Sequence, residues 1–254
     1  MKFKAFTLAE VLITLGIIGI VAALTIPSII SAYRKKVTET KLKQTYSILS
    51  TALSAGETEY GVPFGYSYLT AYGLNNSNGN NYLYQDFIKP YINSEHVYEY
   101  TYTLFSAGGE GPFFSNTTNW APIHSGKAFT LANGVTVFIY NGQIYIITDA
   151  MSFNKKNPLK IVAGKNYFSF GPAIGVCSGL CAGYFTIPHI LAPFVTCEMP
   201  SWANAGYVCR GRYSYEQIKD KCLNDPNMSS RTLYCTQMYL ENNFTFPKDY
   251  PVRF

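Results

Sequence analysis

An uncharged apolar run near the N-terminus constrains this chain more than any other feature. It extends from Val11 to Ile30, and as an α-helix these 20 residues span about 30 Å, the thickness of a bilayer's hydrocarbon core. A secretory signal has a shorter apolar run that ends in a small-residue cleavage site. Here Pro27 and two isoleucines close the run instead. We therefore predict a single membrane-spanning helix.

One acid, Glu10, lies directly before the apolar run. A carboxylate at the centre of a bilayer costs about 3 kcal/mol or more, and such residues are usually functional. Cleavage between Ala5 and Phe6 would place a new free amine one helical turn from Glu10, where it can neutralise this carboxylate or that of a neighbouring subunit. At about 4 Å the attraction is roughly 4 kcal/mol at an effective dielectric constant of about 20. We predict that Glu10 directs the packing of subunits into an ordered polymer.

The residues around this acid form a recognisable signal: basic Lys2 and Lys4, small Ala5, the sequence FTLAE at 6–10, and Pro27 within the apolar run. This arrangement resembles the class III signal of type IV pilins and type II secretion pseudopilins. The resemblance implies that a prepilin peptidase cuts between Ala5 and Phe6 and methylates the Phe6 amine. It also implies that Glu10 and Pro27 belong to the helix that assembles the filament. Ala5 departs from the glycine that most members have.

The same resemblance implies partners and a location. The partners are the prepilin peptidase, other pilin or pseudopilin subunits, an inner-membrane assembly platform and membrane lipid. The chain would cross the inner membrane once, with its head in the periplasm or outside the cell. The basic residues that follow the run would alone place the C-terminal side in the cytoplasm; they are Arg34, Lys35, Lys36, Lys41 and Lys43. The cysteines and the leader favour the opposite orientation, which leaves this basic cluster as a solvated helix face contacting neighbouring subunits or lipid headgroups.

The fold predicted from these patterns is α+β and pilin-like: a long N-terminal membrane helix packed on an antiparallel β-sheet head, with a cysteine-rich, loop-rich C-terminal extension. An apolar stripe at helical spacing continues the helix beyond the membrane and faces the head; it consists of Leu42, Tyr46, Leu49 and Leu53. Gly56 and Gly61 are predicted stops. The predicted units are a leader at 1–5, an assembly helix at 6–32, its amphipathic continuation at 33–56, a head at 57–175 and a disulfide-rich region at 176–254.

A three-stranded meander is predicted between residues 129 and 149. β-Branched and aromatic runs are broken there by Asn133-Gly134 and Asn141-Gly142, and Asn-Gly favours the tight turns of hairpins. The stretch 84–92 is predicted as a short helix or turn.

All six cysteines lie in the last third of the chain: Cys177, Cys181, Cys197, Cys209, Cys222 and Cys235. An even number of cysteines far from the membrane segment indicates disulfides in an oxidising compartment. A zinc site is the alternative, but the later spacings fit no pattern of paired ligands. The pairing stays open.

The loop from Asp149 to Phe170 looks like a worn copy of an Asp-rich loop that binds calcium in some pilin-like proteins. Asp149 is its only acid, and Asn166 stands where another acid is expected. Because calcium takes six or more oxygen ligands, commonly several of them charged, we expect a structural turn with no metal. Asp149 is a weak calcium candidate.

Two further activities were weighed. GVCSG at 175–179 fits a nucleophile-elbow pattern with His189 as the nearest base, but Cys177 among five other cysteines favours a disulfide. Lysines among aromatics at 153–170 would suit single-stranded DNA, although a core strand beside a solvated loop is the simpler interpretation. We therefore expect a non-enzymatic filament subunit without a cofactor. The alternatives are a minor pilin with a ligand- or DNA-binding tip, and a membrane-anchored protein that never polymerises.

Overall fold

A computed structural model describes residues 7–61, 83–100, 126–140, 143–149, 161–174, 186–192, 194–195, 208–209, 213–225 and 228–254. The predicted cleavage site at Ala5 and Phe6 lies outside these residues. So do Cys177, Cys181 and Cys197, together with most of the predicted lysine-rich loop.

Helix α1 (Leu8–Tyr60) is a single helix of 53 residues that contains both the apolar run and the predicted stripe. Pro27 lies within it. The helix ends where Gly61 adopts the left-handed conformation (φ 68°) and donates its N–H to the carbonyl of Glu57, as a glycine C-cap does. The predicted stop at Gly61 is therefore confirmed.

Gly56 has a different role from the predicted stop. It is buried within α1, and a Cβ atom placed on it would lie 2.7 Å from the Phe87 ring. The missing side chain lets a short π-helix, Leu83–Ile88, approach α1 closely, and the 3₁₀ turn Lys89–Tyr91 follows it. The prediction of a short helix or turn at 84–92 is thus confirmed.

Within the described residues, the main sheet has six antiparallel strands that neighbour each other in chain order. They are β1 (Ser94–Tyr100), β2 (Gly126–Leu131), β3 (Thr136–Tyr140), β4 (Gln143–Ile147), β5 (Tyr167–Ile174) and β6 (Thr186–Ala192). A separate parallel pair consists of β7 (Phe194–Val195) and β8 (Val208–Cys209). The predicted meander is confirmed as β2, β3 and β4. Its first turn contains Gly134 at φ 75°, and its second turn, at 141–142, lies outside the described residues.

The core forms between one face of the sheet and the second half of α1. Phe129, Val137, Ile146 and Phe168 are paired across four strands in one row, and alternation along each strand puts such residues on one face. Leu42, Leu49 and Leu53 pack against this face from α1. The predicted stripe is thus the side of the helix that seats the head, and the predicted α+β layout is confirmed.

The C-terminal region contains helices α2 (Tyr215–Asn224) and α3 (Met228–Glu241), where a loop-rich extension was expected. A capping box at Ser214 and Gln217 starts α2. Hydroxyl groups fix α3 to β5: Thr236 Oγ1 accepts from the Ser169 N–H, and Thr232 Oγ1 lies 2.9 Å from Ser169 Oγ. This region therefore packs on the sheet. The sheet, α2, α3 and the second half of α1 together form the head.

Candidate functional site

The first half of α1 exposes an apolar surface along its length. No described residue before Thr38 is buried, and Leu12, Ile18 and Leu24 are each more than half exposed. Within the described parts of the chain, α1 is the one helix long and apolar enough to cross a membrane. Such a surface is unfavourable in water and favourable in lipid.

Glu10 lies in the first turn of α1 and forms a capping box with Thr7. The Thr7 N–H and hydroxyl donate to Glu10 Oε2 at 2.8 and 2.9 Å, and the Glu10 N–H donates to Thr7 Oγ1 at 3.3 Å. Oε1 has no hydrogen bond to any described residue. The positive end of the helix dipole also favours an acid at this position. Glu10 therefore has a local structural role besides the assembly role predicted for it.

This cap was not among the predicted features, although the sequence contains its signal. The four residues TLAE at 7–10 match the pattern of a Ser or Thr followed three residues later by Glu or Gln, directly before an apolar run. The capping box depends only on residues from Thr7 onward, so cleavage before Phe6 would leave all three of its hydrogen bonds possible.

Glu39 fixes the point at which α1 enters the head. Its Oε1 atom accepts the Phe246 N–H at 2.9 Å, and its backbone carbonyl accepts the Tyr239 hydroxyl at 2.9 Å. Burial, together with the nearby Glu39 charge, raises the pKa of Tyr239 well above its ordinary value. Lys36 Nζ lies 3.4 Å from Glu39 Oε2. Helix α1 is thus joined to α3 and to the C-terminal tail, residues 242–254, by hydrogen bonds in a buried site.

The basic cluster is only partly a solvated face. Lys35 Nζ donates to the Pro247 carbonyl at 3.2 Å, and Lys41 Nζ donates to the Thr148 carbonyl at 2.7 Å. Two of the five residues of the basic cluster therefore hold the head against α1. The side chains of Arg34 and Lys43 are exposed and form no hydrogen bond with a described residue.

Asp149 follows Thr148, the residue that binds Lys41, and its carboxylate accepts the Asn166 side-chain N–H at 2.8 Å. The Asn166 side-chain oxygen accepts the Val162 N–H at 2.8 Å, and its backbone oxygen accepts the Thr148 N–H. An amide supplies the donor and the acceptor that this loop needs, whereas a second carboxylate could not donate. The described residues contain no group of three or more His, Cys, Asp or Glu placed to hold a metal.

Of the six predicted disulfide cysteines, Cys222 and Cys235 form a disulfide between α2 and α3. Cys209 lies in β8, and the nucleophile-elbow segment falls outside the described residues. His189 lies in β6. The aromatics weighed for DNA binding include Tyr167, Phe168 and Phe170, which are buried in the sheet and so present no exposed ring face for stacking on bases.

The model of DUF6613, a family of unknown function, matches residues 28–172. This is more than half of the chain, and the chain belongs to that family. The match begins within α1, after Glu10 and Pro27, and ends within β5. No curated protein and no solved structure matches the chain.

Proposed function

We propose that this member of a family of unknown function is a structural subunit, pilin or pseudopilin, of a type IV pilus or type II secretion filament. A prepilin peptidase cleaves it between Ala5 and Phe6 and methylates the new amine. The inner-membrane assembly platform then incorporates it through the first half of α1. It has no enzymatic role.

The division of α1 into two halves is the observation that carries this proposal. Apolar residues from Leu8 to Ile30 are exposed, while Leu42, Leu49 and Leu53 are buried against the head. One continuous helix therefore joins a folded head to a surface that needs either lipid or other helices around it. A subunit that moves from a membrane into a helical filament needs a surface suited to both environments.

The capping box adds a second support. Glu10 is held at the start of the apolar surface, with Oε1 unbonded among the described residues. In a packed filament that oxygen can accept a hydrogen bond from the methylated amine of a neighbouring subunit. In an apolar surrounding such a charge-assisted hydrogen bond is shorter and stronger than a neutral one.

Assembly and capping are separable by mutation, because Glu and Gln both serve at the third helical position of a capping box. Glu10→Gln keeps the cap and removes the charge. Thr7→Ala removes the capping hydroxyl, at a helix-stability cost of about 1 kcal/mol, and keeps the charge. Both variants would be expressed with the prepilin peptidase and the assembly machinery, and sheared filaments would be quantified against membrane-bound subunit.

The proposal predicts that Glu10→Gln accumulates in the membrane with at least a tenfold loss of filaments, whereas Thr7→Ala still assembles. Lys248→Gln, a change of one exposed charge outside α1, serves as the control and should assemble normally. Normal filaments from Glu10→Gln together with loss in Thr7→Ala would assign Glu10 to helix capping alone and contradict its assembly role.

A further inference from the structure

A pocket of about 320 Å³ lies where α1 leaves the head, a volume at the lower end of the range of small-molecule sites. Helix α1 forms one wall, and Thr148, Asp149, Lys165 and Asn166 form the other. The lining residues include Tyr33, Arg34, Lys41, Asp149, Lys165 and Phe254.

Among the described residues, the pocket carries more positive than negative side-chain charge. Arg34, Lys41 and Lys165 line it, and Asp149 is the one acid that the described residues contribute. Lys41 donates to the Thr148 carbonyl, and Asp149 accepts from Asn166. The side chains of Arg34 and Lys165 form neither an ion pair nor a hydrogen bond with any described residue. Two cationic side chains that face one pocket and lack a partner among the described residues favour an anion with several acceptor oxygens, such as a phosphate group.

The position of the pocket along α1 indicates where such a phosphate would come from. Arg34 follows Ile30, the end of the apolar run, by four residues, or about 6 Å of helix rise. The headgroup layer on each side of a bilayer has about that thickness. Tyr33 is 69% exposed beside it, and tyrosine is enriched at this depth.

We propose that this pocket binds the phosphate headgroup of an anionic phospholipid whose acyl chains lie along the exposed apolar surface of α1. Arg34 and Lys165 contact the phosphate, and Lys41 contributes charge while remaining bonded to Thr148. Bound lipid would fix the head at a set height above the membrane. This site requires α1 to lie in a membrane, but it does not require cleavage, Glu10 or filament assembly.

The test uses the full chain in detergent micelles, titrated with phosphatidylglycerol or phosphatidylcholine, with bound lipid counted by native mass spectrometry. The wild type is expected to prefer phosphatidylglycerol by at least about fivefold, the gain expected for one basic residue near an anionic surface. Arg34→Gln/Lys165→Gln should abolish this preference. Lys43→Gln/Lys248→Gln removes the same charge from exposed positions outside the pocket and should retain it.

Two further measurements test the charge of the pocket and the contribution of the acyl chains. Asp149→Asn keeps an oxygen to accept the Asn166 N–H but removes the pocket's negative charge, so it should increase the preference for phosphatidylglycerol. Inorganic phosphate should displace little lipid at equal concentration, because it lacks acyl chains. Equal loss of the preference for phosphatidylglycerol in the two double variants would show that basic residues attract the lipid wherever they lie. That result would overturn the proposed site. Displacement of lipid by equimolar phosphate would overturn its assignment to a lipid.

Discussion

Gly164 lies in the turn before β5 and contacts Cys235 of the C-terminal disulfide. It has φ 76°, and a Cβ atom placed on it would lie 2.5 Å from Cys235 Sγ and 2.7 Å from the Tyr250 hydroxyl. That hydroxyl donates to the Gly164 carbonyl at 2.8 Å. The segments that contain Gly164, Cys235 and Tyr250 are distant in the sequence but contact each other here. A side chain at position 164 would therefore have to displace Cys235 and Tyr250.

Gly164→Ala is expected to destabilise the head more than Gly134→Ala does. Both glycines have positive φ, but a Cβ on Gly134 meets nothing within 4 Å. Gly134→Ala, the control, should cost only the left-handed backbone penalty of about 1–2 kcal/mol. Gly164→Ala should cost about 1–3 kcal/mol more, because its Cβ atom overpacks the site. Urea unfolding of the two variants in detergent measures the difference. Equal losses would show that the space around Gly164 relaxes without cost.

Glu39 supports a second prediction at the residue scale, since its carboxylate holds the buried Phe246 N–H. Glu39→Leu leaves that N–H without its acceptor and should lower the free energy of unfolding by about 1–3 kcal/mol. Glu39→Gln keeps an acceptor oxygen and should lose less than about 1 kcal/mol. The same urea experiment measures both. A Gln variant as unstable as the Leu variant would mean that the charge matters more than the hydrogen bond.

At the scale of elements, the helices and strands that depend on local patterns were predictable. The stripe Leu42, Tyr46, Leu49 and Leu53 indicated the seating face of α1, and two Asn-Gly pairs indicated the meander. Helices α2 and α3 were not predicted, because six cysteines in this region indicated a loop-rich extension. Ser214 and Gln217 nevertheless form a capping box before α2. The prediction that Gly56 ends the helix was wrong. A glycine is needed there because the ring of Phe87, 31 residues away in sequence, packs against it.

The C-terminal tail is tied to α2 through Asp249, whose carboxylate accepts from Lys219 Nζ and from the Tyr215 hydroxyl, both at 2.8 Å. The hydrogen bond from Lys219, followed by that from Tyr215, lowers the pKa of Asp249. Burial, with Asp249 as the next cause, raises the pKa of Tyr215 to about 12. The tail and α2 are therefore coupled through an ionised carboxylate.

This coupling predicts an acid-dependent contribution to stability. Because the pKa of Asp249 is lower in the folded than in the unfolded chain, the stabilisation is present above the unfolded value of about 3.9 and disappears as the pH falls through the folded value. Asp249→Asn should lower Tm near neutral pH, and its difference from wild type should vanish in acid. Asp220→Asn on α2 is the control. A difference that persists unchanged in acid would rule out this linkage.

In the whole molecule, the two ends of α1 differ in how far the sequence predicts them, because one depends on local patterns and the other on long-range contacts. The apolar run, Glu10 and the residues before Phe6 are local in sequence and carry the resemblance to pilins. The attachment of α1 to the head depends on Glu39 with Phe246 and Lys41 with Thr148, pairs separated by 207 and 107 residues. No spacing pattern in a single sequence specifies such partners, so the junction pocket could not be predicted.

We propose that the chain is processed before Phe6 and assembled through α1. The first experiment is intact mass and N-terminal sequencing of the membrane protein, expressed with and without a prepilin peptidase. We expect a chain that begins at a methylated Phe6 only when the peptidase is present. A chain that still begins at Met1 under both conditions would contradict it, and would leave a membrane-anchored, disulfide-linked head that does not enter filaments.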